Sequence, residues 1–218
     1  MTVAERLAQA AEQIAADDQH GYSQPNRDGW GTHTLRFSDG TTYAIRGGDL
    51  DCSEMVRRCV NAALGREAID WMWTGSEDEE LRALGFVRLP FSGTAVRRGD
   101  VLWVQGHTGV ALGGGMQADA HGDEVGGLSG PMGGDNTGHE VEVRALRPWT
   151  YIYRWEEDEL TEADFARIQT MIDKAVDRAV ERTPFAVWAY KNKRVEGVDV
   201  YQILRDIRNK LGIRDGQK

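Results

Sequence analysis

Apolar residues recur at helical spacing near the start of this chain. Val3, Leu7, Ala10 and Ile14 stand three or four apart among polar and charged neighbours, which predicts an amphipathic helix over residues 2–17. Asp17-Asp18-Gln19-His20-Gly21 is suited to ending it, and the turn formers of Tyr22 to Gly31 predict a loop. The period then shortens. Thr34–Phe37 and Thr41–Ile45 flank Ser38-Asp39-Gly40, a hairpin signal. Met55, Val56, Cys59, Val60 and Ala63 restore a helical face, with Ser53 placed to cap it and Gly65 to stop it. Residues 76–84 predict a short helix ended by Gly85. Strands are expected at 101–104, 108–112, 116–120, 141–144 and 151–155, with Gly113-Gly114-Gly115 turning the second into the third. Helices first and antiparallel strands after indicate an α+β class, N-terminal helices packed on an antiparallel sheet.

The pattern changes near residue 156. Glu156-Glu157-Asp158-Glu159 leads into Phe165, Ile168, Ile172, Ala175 and Ala179, a short heptad seam widened by Met171, Val176 and Val180. Thr183-Pro184 breaks it, Val187 to Tyr190 reads as extended, and Val198, Tyr201, Leu204, Ile207 and Leu211 form a second helical face. The expected organisation is one domain over 1–155 and a helical appendage over 156–218. Two heptads are marginal alone in water. Residues 160–182 are therefore expected to pack on the second helix or on copies of themselves, and the latter would make the chain a homo-oligomer.

Composition narrows the options. A net charge of −9 argues against nucleic acid as the main partner, since no basic stripe is present. No apolar run approaches the ~18 residues that span a bilayer, so no membrane partner is expected. The N-terminus lacks a basic start followed by an apolar core, so no secretory signal is expected. Cys52 and Cys59 lie seven apart on one predicted helix. Their separation along the axis, roughly 10 Å, exceeds the ~7 Å between Cα atoms that a disulfide tolerates. The seven tryptophans serve packing, or line a groove for sugars or extended peptides.

Asp51-Cys52-Ser53 is the segment most suggestive of chemistry. A cysteine in the first turn of a helix meets unpaired backbone N–H groups and the positive end of the dipole, both of which favour a thiolate. Gly106-His107-Thr108-Gly109-Val110 places a histidine at the mouth of a strand, where it can serve as the base for such a nucleophile. A third polar group should hold the imidazole by its other nitrogen. If the three glycines form the turn, His107 faces His121 and Asp119 is diagonal to it. A loop two residues longer puts Asp119 directly opposite. Register alone leaves Gln117, Asp119 and His121 open. Cys59 reads as a small core residue, and His20, His33 and His139 as ordinary loop residues. Cys52, His107, Asp119 and His121 are all ligand types for zinc, yet no CxxC, HxxxH or HExxH spacing occurs. Neither a metal nor another cofactor is expected.

These segments carry a resemblance. Asp51-Cys52-Ser53, Arg98-Gly99-Asp100-Val101-Leu102-Trp103 and Gly106-His107-Thr108-Gly109-Val110-Ala111-Leu112-Gly113 resemble the NlpC-type papain-like peptidoglycan peptidases. His20-Gly21-Tyr22-Ser23-Gln24 with Arg27, Gly134-Asp135-Asn136-Thr137-Gly138-His139-Glu140 and Tyr153-Arg154-Trp155 resemble the phage endolysin branch. The resemblance implies a papain-like fold and hydrolysis of an amide in the peptidoglycan stem, with Cys52 as nucleophile, His107 as base and Asp119 as the third residue. Many relatives carry a histidine at that third position, and phage members often an acidic residue. It also implies that Tyr22 approaches the site and that Asp51 and Ser53 position the substrate amine, although Asp51 equally suits a helix N-terminus. The hairpin of 34–45 is either a wall of the cleft or ornament. The appendage, with its basic run Lys191-Asn192-Lys193-Arg194, would bind the wall or multimerise. An endolysin would wait in the host cytoplasm until released to the wall. The rival readings are an inactive, tail-associated wall-binding module and an acyl transferase on the same scaffold.

Overall fold

Thr2 caps the first helix, α1 (Val3–Ala15), its hydroxyl accepting the Glu5 N–H at 3.1 Å. Leu7, Ala10, Ala11 and Ile14 form the buried stripe that the spacing predicts. The computed structural model describes residues 1–130 and 133–156, with 169, 170 and 172. After α1 come a hairpin, β1 (Thr32–Arg36) and β2 (Thr42–Arg46), then α2 (Cys52–Leu64) and α3 (Glu77–Ala83). Six strands follow: β3 (Phe86–Pro90), β4 (Val101–Val104), β5 (His107–Gly113), β6 (Met116–Ala120), β7 (Val141–Ala145) and β8 (Tyr151–Trp155). They form one antiparallel sheet in the order β3-β8-β4-β5-β6-β7. The expected α+β class is borne out. All these elements lie in the unit Met1–Asp158. The expected tail, its seam over 160–182 and its basic run lie outside the described residues, apart from Glu156, Gln169, Thr170 and Ile172.

The core forms where the apolar faces of α1 and α2 meet the middle of the sheet. Leu7, Ile14, Met55, Val56, Val60, Val110, Ala118 and Tyr153 are buried in one cluster. At about 25 cal/mol per Å² of apolar surface, such burial is the main force holding the helices on the sheet. Cys59 belongs to this cluster and carries no disulfide, as its spacing from Cys52 requires. Leu102, Ala111, Trp149 and Ile152 make a smaller cluster.

Gly99 pins α1 down. It has φ +85°, and a Cβ there would lie 2.2 Å from the Ala4 carbonyl oxygen. Beside it, Arg98 reaches Glu5 and Glu12 of α1 through hydrogen bonds of 2.6–3.1 Å.

Three local expectations are corrected. The cap of α2 is Asp51, not Ser53: its Oδ1 accepts the Glu54 N–H at 2.8 Å, so the helix starts at Cys52. Residues 86–90 form an unexpected strand. Pro90 argues against a ladder position, but β3 occupies an edge, where a missing N–H is tolerated. His33 lies on β1 rather than in a loop, and His20 is fully buried.

Candidate active site

The β5–β6 turn sets the geometry. It is shorter than the three-glycine loop: Gly113 pairs with Met116, leaving Gly114 and Gly115 at the tip, with φ +60° and +77°. Both values suit a type I′ hairpin turn. A register irregularity between Ala111 and Gly113 then restores Val110 opposite Ala118. Continued along the strands, that register sets Asp119 opposite Gly109 and diagonal to His107. Gly109 has to be small, since a Cβ there would come within 3.0 Å of the Asp119 Cβ.

From this diagonal position Asp119 reaches His107, Oδ2 lying 2.6 Å from the ring Nε2. Arg144 of β7 donates to the same carboxylate, its Nε to Oδ1 at 2.8 Å and its Nη2 to Oδ2. Arg147 lies 3.5 Å away. Burial alone would raise this carboxyl, but the hydrogen bonds from His107 and Arg144 bring it down to about 2. It is therefore an anion at neutral pH. Trp149 lies nearly parallel to the imidazole, 11° between planes and 5.4 Å between centroids, and fixes the ring plane. The other contenders stand elsewhere. Gln117 Oε1 accepts the Trp149 indole N–H and the Arg147 backbone N–H, each at 3.0 Å, so it holds the tryptophan rather than the imidazole. His121 lies 3.7 Å from Glu142.

Cys52 is the first residue of α2 and is only 5% exposed. The backbone N–H groups of Thr108, next in sequence to His107, and of Ser53 favour its thiolate. Burial, then the Asp51 carboxylate, outweigh them and push the thiol up to about 12. The N–H groups thus act in the direction expected of a helix start, but removing the sulfur from water outweighs them.

The remaining predicted residues gather at the same place. Asp51 Oδ1 accepts the Ser53 hydroxyl at 2.9 Å, and Oδ2 pairs with Arg27 at 2.9 Å. Asp51, Cys52 and Ser53 line a cleft of about 300 Å³ with Gln24, Arg27, Trp73, Thr74 and Gly106. None of these residues belongs to the β1–β2 hairpin, which packs on α2 instead. Tyr22 is buried, its hydroxyl held by Gln24 at 3.3 Å. Burial, then the charges of Cys52 and Asp51, raise it to about 12. The segment 134–140 latches this loop. Glu140 accepts the Tyr22 N–H at 2.9 Å, and the Gly134 N–H donates to Asp49 at 2.8 Å.

Three neighbours carried no sequence signal for this site. Arg144 is one of several strand arginines, and Trp149 one of seven tryptophans. Glu77 opens an acidic run that suits any helix start, yet it is wholly buried. It accepts the Thr108 hydroxyl at 2.6 Å, its other oxygen has no hydrogen-bond partner among the described residues, and burial raises it to about 8.

The model of the endolysin-like domain family matches residues 1–118, more than half of the chain. No curated protein matches. Among solved structures, the chain is similar to the peptidoglycan hydrolase RipB of Mycobacterium tuberculosis, with 19% identity and TM-score 0.41, covering 71% of this chain and 67% of that one. It is also similar to the P60 domain of an M. avium subspecies paratuberculosis antigen, with 19% identity and TM-score 0.38, covering 69% and 96%. A protein titled a hypothetical invasion protein of M. tuberculosis shows 20% identity and TM-score 0.40, covering 70% of this chain and 63% of that one.

Proposed function

The chain belongs to the endolysin-like domain family, and from that premise we propose that it hydrolyses an amide bond of the peptidoglycan stem peptide. The observation that carries the reading is a cysteine at a helix start that meets the backbone N–H of Thr108, the residue after strand-borne His107, whose Nε2 is held by a buried carboxylate at 2.6 Å. In this reading Nδ1 of His107 takes the Cys52 proton as the sulfur attacks the scissile carbonyl carbon. His107 then gives that proton to the departing amine, leaving a thioester. Water, deprotonated by the same nitrogen, attacks the thioester and releases the acid and the thiol. Asp119 keeps the ring in the required tautomer and stabilises its cation. Asp51 and Ser53 at the cleft floor, with Tyr22 beside them, would hold the substrate amine. Trp73 at the rim would stack against sugar or peptide. The enzyme would act at the bacterial wall after release from an infected host.

Purified walls treated with the protein should yield new amino ends, and mass spectrometry of the fragments should identify the bond. Cys52→Ala should abolish release. Full activity in that variant would sink the reading. Wall binding with no cleavage by the native protein would favour the binding module, and newly formed amides would favour the transferase.

A further inference from the structure

A second group of side chains converges without sharing a residue with the Cys52 site. Asp17 follows α1, His20 lies in the next loop, and His33 is on β1. His20 Nε2 lies 2.8 Å from His33 Nδ1, and Asp17 Oδ2 lies 3.3 Å from that same nitrogen. The three ligand-type atoms all fall within 4.8 Å of one another. The other nitrogen of His20 is 3.0 Å from the Gly48 carbonyl oxygen. A carbonyl only accepts, so Nδ1 carries the hydrogen and Nε2 presents its lone pair to His33 and Asp17.

We infer that Asp17, His20 and His33 form a binding site for a single divalent cation of the zinc class, which joins the end of α1 to β1 and to the segment leading into Cys52. The donor set is two imidazole nitrogens and one carboxylate oxygen, a three-ligand set of the type zinc accepts, with a fourth position for water. Tetrahedral bonds near 2.0–2.1 Å would place ligand atoms about 3.3 Å apart. The His33–Asp17 spacing already meets this, and the His20–His33 spacing has to open by about half an ångström. The Gly48 carbonyl is the outer partner that holds a ligating histidine in its tautomer. His20 is fully buried, so its free nitrogen is shielded from water and faces only His33 and Asp17.

Charge favours a cation here. The carbonyl end of α1 and the Asp17 carboxylate direct negative charge toward the same region. Arg58, the cation acting on His20, is itself paired with Glu54 at 2.8 Å. For His33 Nδ1 to ligate, the hydrogen it shares with His20 and Asp17 has to leave that nitrogen. Gly48 stands four residues before Cys52, and the Leu50 N–H donates to the Gly21 carbonyl at 3.0 Å. The ion would therefore brace both strands of the Tyr22–Leu50 bridge that precedes the nucleophile.

The test uses the full chain stripped with a chelator and titrated with zinc alone against a chromophoric chelator. One equivalent should bind, and the melting temperature should rise with it. Cobalt should give the intense visible bands of a tetrahedral centre. His33→Ala and Asp17→Asn alter half-buried groups, and circular dichroism will confirm that they fold. Each should weaken zinc binding at least tenfold and lose the cobalt bands, while Cys52→Ser keeps both. The inference is overturned by absence of saturable one-equivalent uptake. It is equally overturned if folded His33→Ala binds as tightly as the native chain, or if Cys52→Ser abolishes binding.

Discussion

Replacing Asp119 by Asn changes one atom at the centre of the site, and its consequences can be worked out in both stability and rate. The carboxylate is buried, with its ordinary value near 3.8 brought to about 2. At about 1.4 kcal/mol per tenfold, that gap is worth about 2 kcal/mol. The native value is the lower one, so this stability is fully present above pH 3.8 and is lost as pH falls from 3.8 through 2. Asn cannot titrate, so the variant lacks that term. It also leaves Arg144, three-quarters buried, facing a neutral amide. Removing one partner of a buried pair costs about 3–5 kcal/mol, and partial exposure of Arg144 favours the lower end. Urea unfolding at pH 7 should therefore show a loss of about 3 kcal/mol. The stability difference between native and variant should narrow as the medium is acidified from pH 4 to 2. For catalysis, the amide can accept from His107 Nε2 but cannot neutralise an imidazolium. Loss of the analogous carboxylate in serine proteases costs about 10⁴ in kcat, so a fall of roughly 10²–10⁴ is expected, in kcat rather than KM. The assay is release of amino groups from purified walls under conditions where circular dichroism shows a folded variant. A folded Asp119→Asn protein within threefold of native kcat at pH 7 would refute the assignment of His107 and Asp119 to one unit.

Other outcomes follow from the same geometry. The Cys52 thiol, raised to about 12, should react with iodoacetamide at pH 7 at least tenfold more slowly than a free cysteine, and rate should climb with pH beyond 9. Glu77→Gln keeps an acceptor for Thr108 and removes a carboxyl raised to about 8. Below its ordinary 4.5 both folded and unfolded chains hold that proton. Between 4.5 and 8 only the folded chain does, so the native protein loses stability as pH rises through that window. The variant should gain up to about 3 kcal/mol over native between pH 4.5 and 7 in urea titrations, and an unchanged difference would show Glu77 ionised in the fold. Gly99→Ala puts a Cβ against the Ala4 backbone at a positive φ, and should lower stability by at least about 2 kcal/mol in the same assay.

Much of the site could be read from residue order because the motifs are local. Cys52 at a helix start and His107 at a strand start each follow from capping and turn chemistry within a few residues. Asp119 was reachable as one of three, since a hairpin leaves few registers, but choosing among them needed the side-chain partners: Asp119 reaches His107, Gln117 the Trp149 indole and His121 Glu142. No period in the sequence announces those partners. Arg144 and Trp149 come from strand pairings and loops beyond the hairpin, where contacts depend on sheet order rather than on spacing. Glu77 was hidden for another reason. An acidic residue at a helix start is ordinary on the surface, and only the packing of α3 reveals that this one is sealed inside. His20 and His33, thirteen apart, meet because the hairpin folds back on α1.

The buried thiol shapes how the proposed nucleophile must work. A resting thiolate is disfavoured by burial and by Asp51, while the N–H groups of Thr108 and Ser53 and the nearby Arg147 act the other way. The proton therefore has to leave during attack, when the sulfur's charge passes onto the carbonyl oxygen, rather than before it. That demands a base already aimed and already stabilised as a cation. The surroundings of His107 supply the aim: the Asp119 carboxylate at Nε2 and an aromatic face 5.4 Å away hold the ring. Asp51 raises the thiol, yet it cannot be dispensed with, since it caps α2 and anchors Ser53 and Arg27. A bound substrate amine that paired with Asp51 would offset its negative charge beside the sulfur. Activation of Cys52 would then be greatest when the cleft is correctly filled, which in the proposed reaction would couple recognition of the substrate to its cleavage.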